Sequence, residues 1–174
     1  MKKIEIKIEA EELDYHELSE EDKNLVETAK KMTRTSYVPY SKFHVGAAVL
    51  MANGEIVVGS NQENAAFSPT MCAERNAIFQ AGALYPGVRL EKIAIAAWTL
   101  GDRPESTPYD LCFQGQPISP CGVCRQALLE YETLYGPVEV ILYGRERIIR
   151  FPSVASLLPY SFTEFKKDLK IRSA

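Results

Sequence analysis

The sequence predicts an α/β protein, a mixed β-sheet sandwiched by helices in three α/β/α layers, and three observations carry that prediction. Stretches with helical spacing alternate with short apolar extended stretches along most of the 174 residues. An Asn-Gly turn joins two of the extended stretches into a hairpin. A hydrophobic share of 46% supplies one core without disulfides. Strands separated by helices favour a mixed sheet with helices on its faces.

Taken in order, Ile4, Ile6 and Ile8 alternate with Glu5, Lys7 and Glu9, the period of two expected of an edge strand or a partner-contacting arm. Ser19 followed by Glu20, Glu21 and Asp22 is a helix cap with an acidic first turn. Leu25, Val26, Ala29 and Met32 then recur at helical spacing, giving a helix up to about Tyr37. Val45 to Met51 and Glu55 to Gly59 form the hairpin around Asn53-Gly54. Met71 to Ala83 is a helix, Lys92 to Trp98 a buried strand, and Cys121 to Tyr135 a helix that Pro137 ends. Two strands, Val138 to Tyr143 and Arg147 to Phe151, precede a last helical pattern from Ser161 to Leu169. The irregular stretch Thr99 to Ser119 is long enough to suggest a functional or interface loop.

Net charge is −3, with a pI of about 5.5. That balance disfavours a phosphate backbone as partner. No apolar run reaches the roughly 20 residues that cross a bilayer, and Met1-Lys2-Lys3-Ile4-Glu5 does not read as a signal peptide. A cytoplasmic protein is expected, in which four cysteines serve metal, catalysis or packing rather than disulfides.

Cys121 and Cys124 form a Cys-x-x-Cys at a predicted helix start, where the helix dipole favours thiolate. Alone, that spacing is ambiguous between zinc, a redox dithiol and chance. Cys72-Ala73-Glu74 adds a third thiol at a helix start, with a carboxylate two residues on. Three thiolates leave the fourth tetrahedral position open, as catalytic zinc sites do. Cys112, His16 and His44 are the available fourth ligands, and packing or surface roles suit each better. The competing reading is a zinc-stabilised binding module in which Cys112 closes the sphere and Glu74 is idle.

Five ordered stretches then resemble the zinc-dependent cytidine deaminases of the small homotetrameric, three-cysteine type. They are Tyr40-Ser41-Lys42-Phe43-His44-Val45-Gly46-Ala47-Ala48, Asn61-Gln62-Glu63-Asn64-Ala65, Cys72-Ala73-Glu74-Arg75, Pro120-Cys121-Gly122-Val123-Cys124-Arg125-Gln126, and Leu157-Leu158-Pro159-Tyr160-Ser161-Phe162. The resemblance implies a cytidine deaminase-like domain over residues 19–174, with residues 1–18 as an N-terminal extension carrying a short strand. It implies one Zn2+ per chain on Cys72, Cys121 and Cys124, and hydrolysis of cytidine or deoxycytidine to the uridine plus ammonia by a zinc-bound hydroxide, in pyrimidine salvage. Glu74 would shuttle the proton. Asn61 and Glu63 would bind ribose, Phe43 would pack on the nucleoside, and the Ala73 N–H and Ser119 carbonyl would meet the base edge. Phe162 would reach a neighbouring subunit's site in a homotetramer. Arg75 is expected to donate to a ligating sulfur and offset the charge of the third thiolate.

Two departures stand out: His44 replaces the usual proline and Gln62 the usual apolar residue. The alternative within the same chemistry is a deaminase of a modified cytosine nucleoside of the blasticidin S type. A nucleic-acid-editing relative would need a basic groove. No membrane or nucleic-acid partner is expected.

Overall fold

The computed structural model describes residues 1–163. Its elements are β1 (Glu11–Leu13), α1 (Glu20–Met32), β2 (His44–Met51), β3 (Ile56–Ser60), α2 (Ala73–Leu84), β4 (Leu90–Trp98), α3 (Tyr109–Cys112), α4 (Gly122–Tyr135), β5 (Glu139–Tyr143) and β6 (Ile148–Phe151). The strands form one six-stranded sheet in the order β1-β6-β5-β4-β2-β3. Only β4 and β5 run parallel. A parallel neighbour cannot be reached by a tight turn, so the chain crosses over through α4.

Alternation along β2 builds the two cores. Val45, Ala47, Val49 and Met51 face the layer of α2 and α4, with Ala77, Ile78 and Leu128 among their buried neighbours. Ala48 and Leu50 face α1, where Leu25, Val26 and Ala29 are fully buried. The result is the three-layer mixed-sheet architecture that the sequence predicts. Gly46 and Gly59 let the helices come this close. A Cβ on Gly46 would lie 2.1 Å from the Ala29 carbonyl oxygen, and one on Gly59 would lie 2.4 Å from that of Ala73.

The hairpin turn falls where Asn53-Gly54 predicts it, with Gly54 at φ +85°. Four other expectations are corrected. The first strand lies at Glu11–Leu13 rather than at Ile4–Ile8, because β6 offers Arg150 and Arg147 to Glu11 and Glu12. The first helix stops at Met32 and tightens into a 3-10 turn over Thr33–Thr35. The loop after β4 is not wholly irregular, since Tyr109–Cys112 forms a helical turn. Gly136, at φ +115°, caps α4 before Pro137 is reached. The helical pattern expected for 161–169 lies outside the described residues, except for Ser161–Thr163, which are not helical.

Candidate metal centre and active site

One end of the sheet gathers the start of β2 and the ends of β3 and β4. The β3–α2 and β4–α4 connections leave from that end and deliver two helix N-termini to one point. Cys72 is the N-cap of α2 and Cys121 the N-cap of α4, with Cys124 one turn inside. The sulfurs of Cys72, Cys121 and Cys124 all lie within 4.8 Å of one another. Cys72 Sγ is 4.0 Å from Cys121 Sγ, which is 3.4 Å from Cys124 Sγ.

These spacings fit a metal. Sulfurs about 2.3 Å from a tetrahedral zinc stand about 3.8 Å from each other. The donor set fits too: the three sulfurs are soft ligands suited to zinc, and no fourth Cys or His joins the cluster among the described residues. Cys112 is instead buried under the long loop, its thiol directed at the carbonyls of Thr107 and Pro108. His44 lies on the α1 side of the sheet, stacked on Trp98 with ring centroids 4.1 Å apart. His16 is an exposed residue of the N-terminal segment.

Charge at the cluster is arranged for anionic sulfur. A hydrogen bond from Cys124 and a second from Arg75 hold the Cys72 thiol down at about 5, against the opposing effect of burial. The same sharing with Cys72 pushes Cys124 up. Arg75 Nη2 reaches the Cys72 sulfur at 3.8 Å and the Thr70 carbonyl at 3.5 Å, while its buried Nε has no partner. Arg75 therefore sits where it can offset thiolate charge.

Glu74 lies in the first turn of α2 and is only 4% exposed. Burial pushes its carboxyl up to about 7. A carboxyl near neutrality can both take and return a proton, which is the property acid–base catalysis needs. It lines a small cavity of about 170 Å³ together with Val45, Asn61, Cys72, Ala73, Ser119 and other residues. That volume is below the roughly 300 Å³ at which whole-ligand pockets begin.

Asn61, which lines the cavity, and the residues that follow it are themselves held in place. Asn61 Oδ1 accepts from the Val45 N–H and its Nδ2 donates to the Phe43 carbonyl, both at 2.9 Å. Glu63 accepts from the N–H groups of Tyr40 and Ser41 at 3.0 and 3.3 Å. Hydrogen bonding from the Ser41 side chain and these backbone groups lowers its pKa. Both residues thus fix the turn that presents Phe43, which packs partly buried on the core below the site. Gln62 ties the same loop to the Thr35 carbonyl and the Ser60 hydroxyl.

Arg125 is a positioning residue that the sequence did not single out. It donates to the Pro120 carbonyl, the Leu157 carbonyl and the Ser119 hydroxyl, each at 2.8 Å, and so clamps the loop that leads into the thiols. Its place directly after Cys124 was the available signal. The carbonyl of Phe162 accepts from Gln126 at 3.2 Å, and the residue is largely exposed.

An α/β/α sheet protein with three thiols converging from two helix N-termini, and a buried carboxyl beside them, is by class a zinc-site protein equipped for hydrolytic proton transfer. The family profile described as "Cytidine and deoxycytidylate deaminase zinc-binding region" matches residues 19–136. A cytidine deaminase of Sporosarcina psychrophila is 42% identical over 146 residues, covering 83% of this chain and 92% of that protein. One from Halalkalibacterium halodurans is 36% identical over 139 residues, covering 80% and 92%. The crystal structure of cytidine deaminase from Burkholderia pseudomallei superposes with a TM-score of 0.64 at 36% identity, covering 83% of this chain and 100% of that one. The chain belongs to the zinc-dependent cytidine deaminase family.

Proposed function

We propose that this protein hydrolyses cytidine, deoxycytidine or both to the corresponding uridine and ammonia. The observation that carries the reading is the buried Glu74 carboxyl in the same small cavity as Cys72 and Cys121. Cys72, Cys121 and Cys124 would hold the zinc, which supplies Lewis acidity that makes water a usable nucleophile near neutral pH.

Glu74 takes one proton of the attacking water and delivers it to ring N3, then takes the remaining proton of the hydroxyl added at C4 and passes it to the amine, so that the C4–N bond breaks as the C4 carbonyl forms and ammonia leaves. The Ala73 N–H, at the first turn of α2, donates to the base and the Ser119 carbonyl accepts from its amino group. Phe43 covers the nucleoside. Asn61 and Glu63 use the hydrogen-bonding capacity left over from their loop contacts to bind ribose hydroxyls. Arg75 keeps negative charge on the sulfurs tolerable. The blasticidin S type alternative is not favoured, since the relatives and the structure cited above are all named cytidine deaminase.

The catalytic unit extends over residues 19–174 and works as a homotetramer. In support, α2 and α4 leave a largely apolar groove of about 860 Å³, with Phe79 and Val123 exposed, immediately beside the thiol-bearing start of α4. Gln126 lines that groove and also holds the Phe162 carbonyl. Phe162 accordingly serves a neighbouring subunit's site. We place this activity in pyrimidine salvage in the cytoplasm, a compartment that keeps free thiols such as these reduced and available to a metal. Among the described residues no helix is long and apolar enough to cross a membrane.

The direct test mixes the purified protein with cytidine and follows loss of ultraviolet absorbance, with zinc and assembly measured on the same sample. Glu74→Gln is expected to keep about one zinc per chain and the tetramer while losing about a hundred- to ten-thousand-fold in rate. Zinc retention without turnover on either nucleoside would overturn the substrate assignment. Equal turnover in the variant would remove Glu74 from the mechanism.

A further inference from the structure

Ten residues precede β1, and all of them are exposed and outside any helix or strand. Ile4 is 82% exposed, and Ile6 and Ile8 are 54% exposed. This arm lies N-terminal to the family match over residues 19–136. Its root is fixed. Glu11 pairs with Arg150 at 2.7 Å from Nε, and Glu12 with Arg147 at 2.9 Å, which anchors β1 on the sheet edge. Alternating isoleucines on a free arm make a strand in search of a partner.

The charges specify that partner. We propose that the arm pairs antiparallel with the arm of a second copy of this chain, centred on Ile6. In that register Ile6 faces its own copy and Ile4 faces Ile8, so the apolar residues share one face. On the other face Lys3 meets Glu9 and Glu5 meets Lys7, and the two-fold axis repeats every pair. Every charged residue from Lys3 to Glu9 then faces its opposite, and Lys2 falls opposite Ala10 at the ribbon's end.

Other antiparallel registers fail by inspection. Moving one arm by two residues in one direction sets Lys3 against Lys7 and Glu5 against Glu5. Moving it the other way sets Glu5 against Glu9 and Lys7 against Lys7. A slip of four restores opposite charges but keeps a single isoleucine pair. An odd slip opposes isoleucine to charge. Parallel pairing in register puts like charge on like throughout. A parallel pairing offset by two residues also sets isoleucine on isoleucine and Lys on Glu, but it is heterologous and does not close between two copies; self-pairing at Ile6 is the one two-fold-symmetric arrangement in which apolar and charged positions both match.

The two β1 roots would stand about ten residues apart along the ribbon, roughly 33 Å at about 3.3 Å per residue. The ribbon therefore bridges two bodies rather than continuing one sheet. A two-stranded ribbon is marginal alone, and copies already held in one assembly supply the local concentration it needs.

Cross-linking of the full-length chain tests this. Under mild oxidation Ile6→Cys is expected to give a disulfide-linked dimer on a non-reducing gel. Lys3→Cys, whose two copies stand roughly 20 Å apart in the ribbon, is expected to give none. Adding Glu5→Lys to Ile6→Cys should slow cross-linking on the order of ten-fold. Adding Lys7→Glu as well should restore it, because the exchanged charges again oppose. Zinc content should be unchanged in every variant. Equal cross-linking at positions 3 and 6, none at position 6, or indifference to the charge exchange would each overturn the self-paired arm.

Discussion

The N-terminus of α1 and the N-termini of α2 and α4 face the same physical problem, unpaired N–H groups with a positive dipole end, and meet it in opposite ways. Ser19 Oγ accepts from the Asp22 N–H at 3.1 Å, and Glu20, Glu21 and Asp22 neutralise the first turn. Lys92 then reaches Asp22 at 2.7 Å and Glu21 at 2.9 Å, so this end is capped, charged and paired. At α2 the N-cap is Cys72, whose side chain makes no capping bond, and at α4 the cap is the long 3.4 Å contact from the Cys124 N–H to Cys121 Sγ. Sulfur is a poor acceptor, so the positive ends remain available to thiolate. One terminus is spent on holding the fold and the other two on holding charge for chemistry.

The sharpest way to break that comparison is to remove a thiol. Cys124→Ala is expected to abolish stoichiometric zinc and all measurable turnover, with metal content read by a chromogenic chelator. A variant that keeps about one zinc per chain would show that the α4 terminus is not a metal site. The next largest effect is expected at Arg75. Arg75→Gln should weaken zinc about ten- to a hundred-fold, the usual range for a residue that supports a ligand. The melting curve of the zinc-free protein should scarcely move. A variant with unchanged zinc affinity would leave Arg75 as a loop contact to Thr70.

Legibility in the sequence follows the same division between local and distant. The caps at Ser19 and Cys121, the Asn53-Gly54 turn and the Cys-x-x-Cys spacing are local patterns, and the structure has them where the residues say. The meeting of Cys72 with Cys121, 49 residues apart, is tertiary; their shared setting at helix starts suggested it, and the resemblance to known deaminases specified it. The early strand was misplaced for a physical reason. Period-two alternation at Ile4–Ile8 reports a capacity to pair, whereas β1 forms at Glu11–Leu13 because its neighbour carries the complementary arginines. The turn at Tyr109–Cys112 is too short to show a helical period. Arg125 showed only its position, since its three carbonyl and hydroxyl partners are brought together by folding.

The smallest expected effect belongs to the α1 terminus and has its own pH signature. Asp22 is 2% exposed and also lies 3.8 Å from Arg150, so Asp22→Asn should cost about 2 kcal/mol in a urea titration while zinc content and turnover per folded molecule stay unchanged. Burial lowers the pKa of Lys92, but hydrogen bonds to Asp22 and Glu21 outweigh it and the net shift is upward. A cationic group with a raised folded pKa contributes its full stability below its ordinary value of about 10.5 and loses it as pH climbs through the folded value. Wild type should therefore lose stability on the alkaline side more steeply than Asp22→Asn, and the two urea midpoints should converge as pH rises. Parallel midpoints across that range would mean that Asp22 acts as a helix-end charge and through Arg150, without help from Lys92.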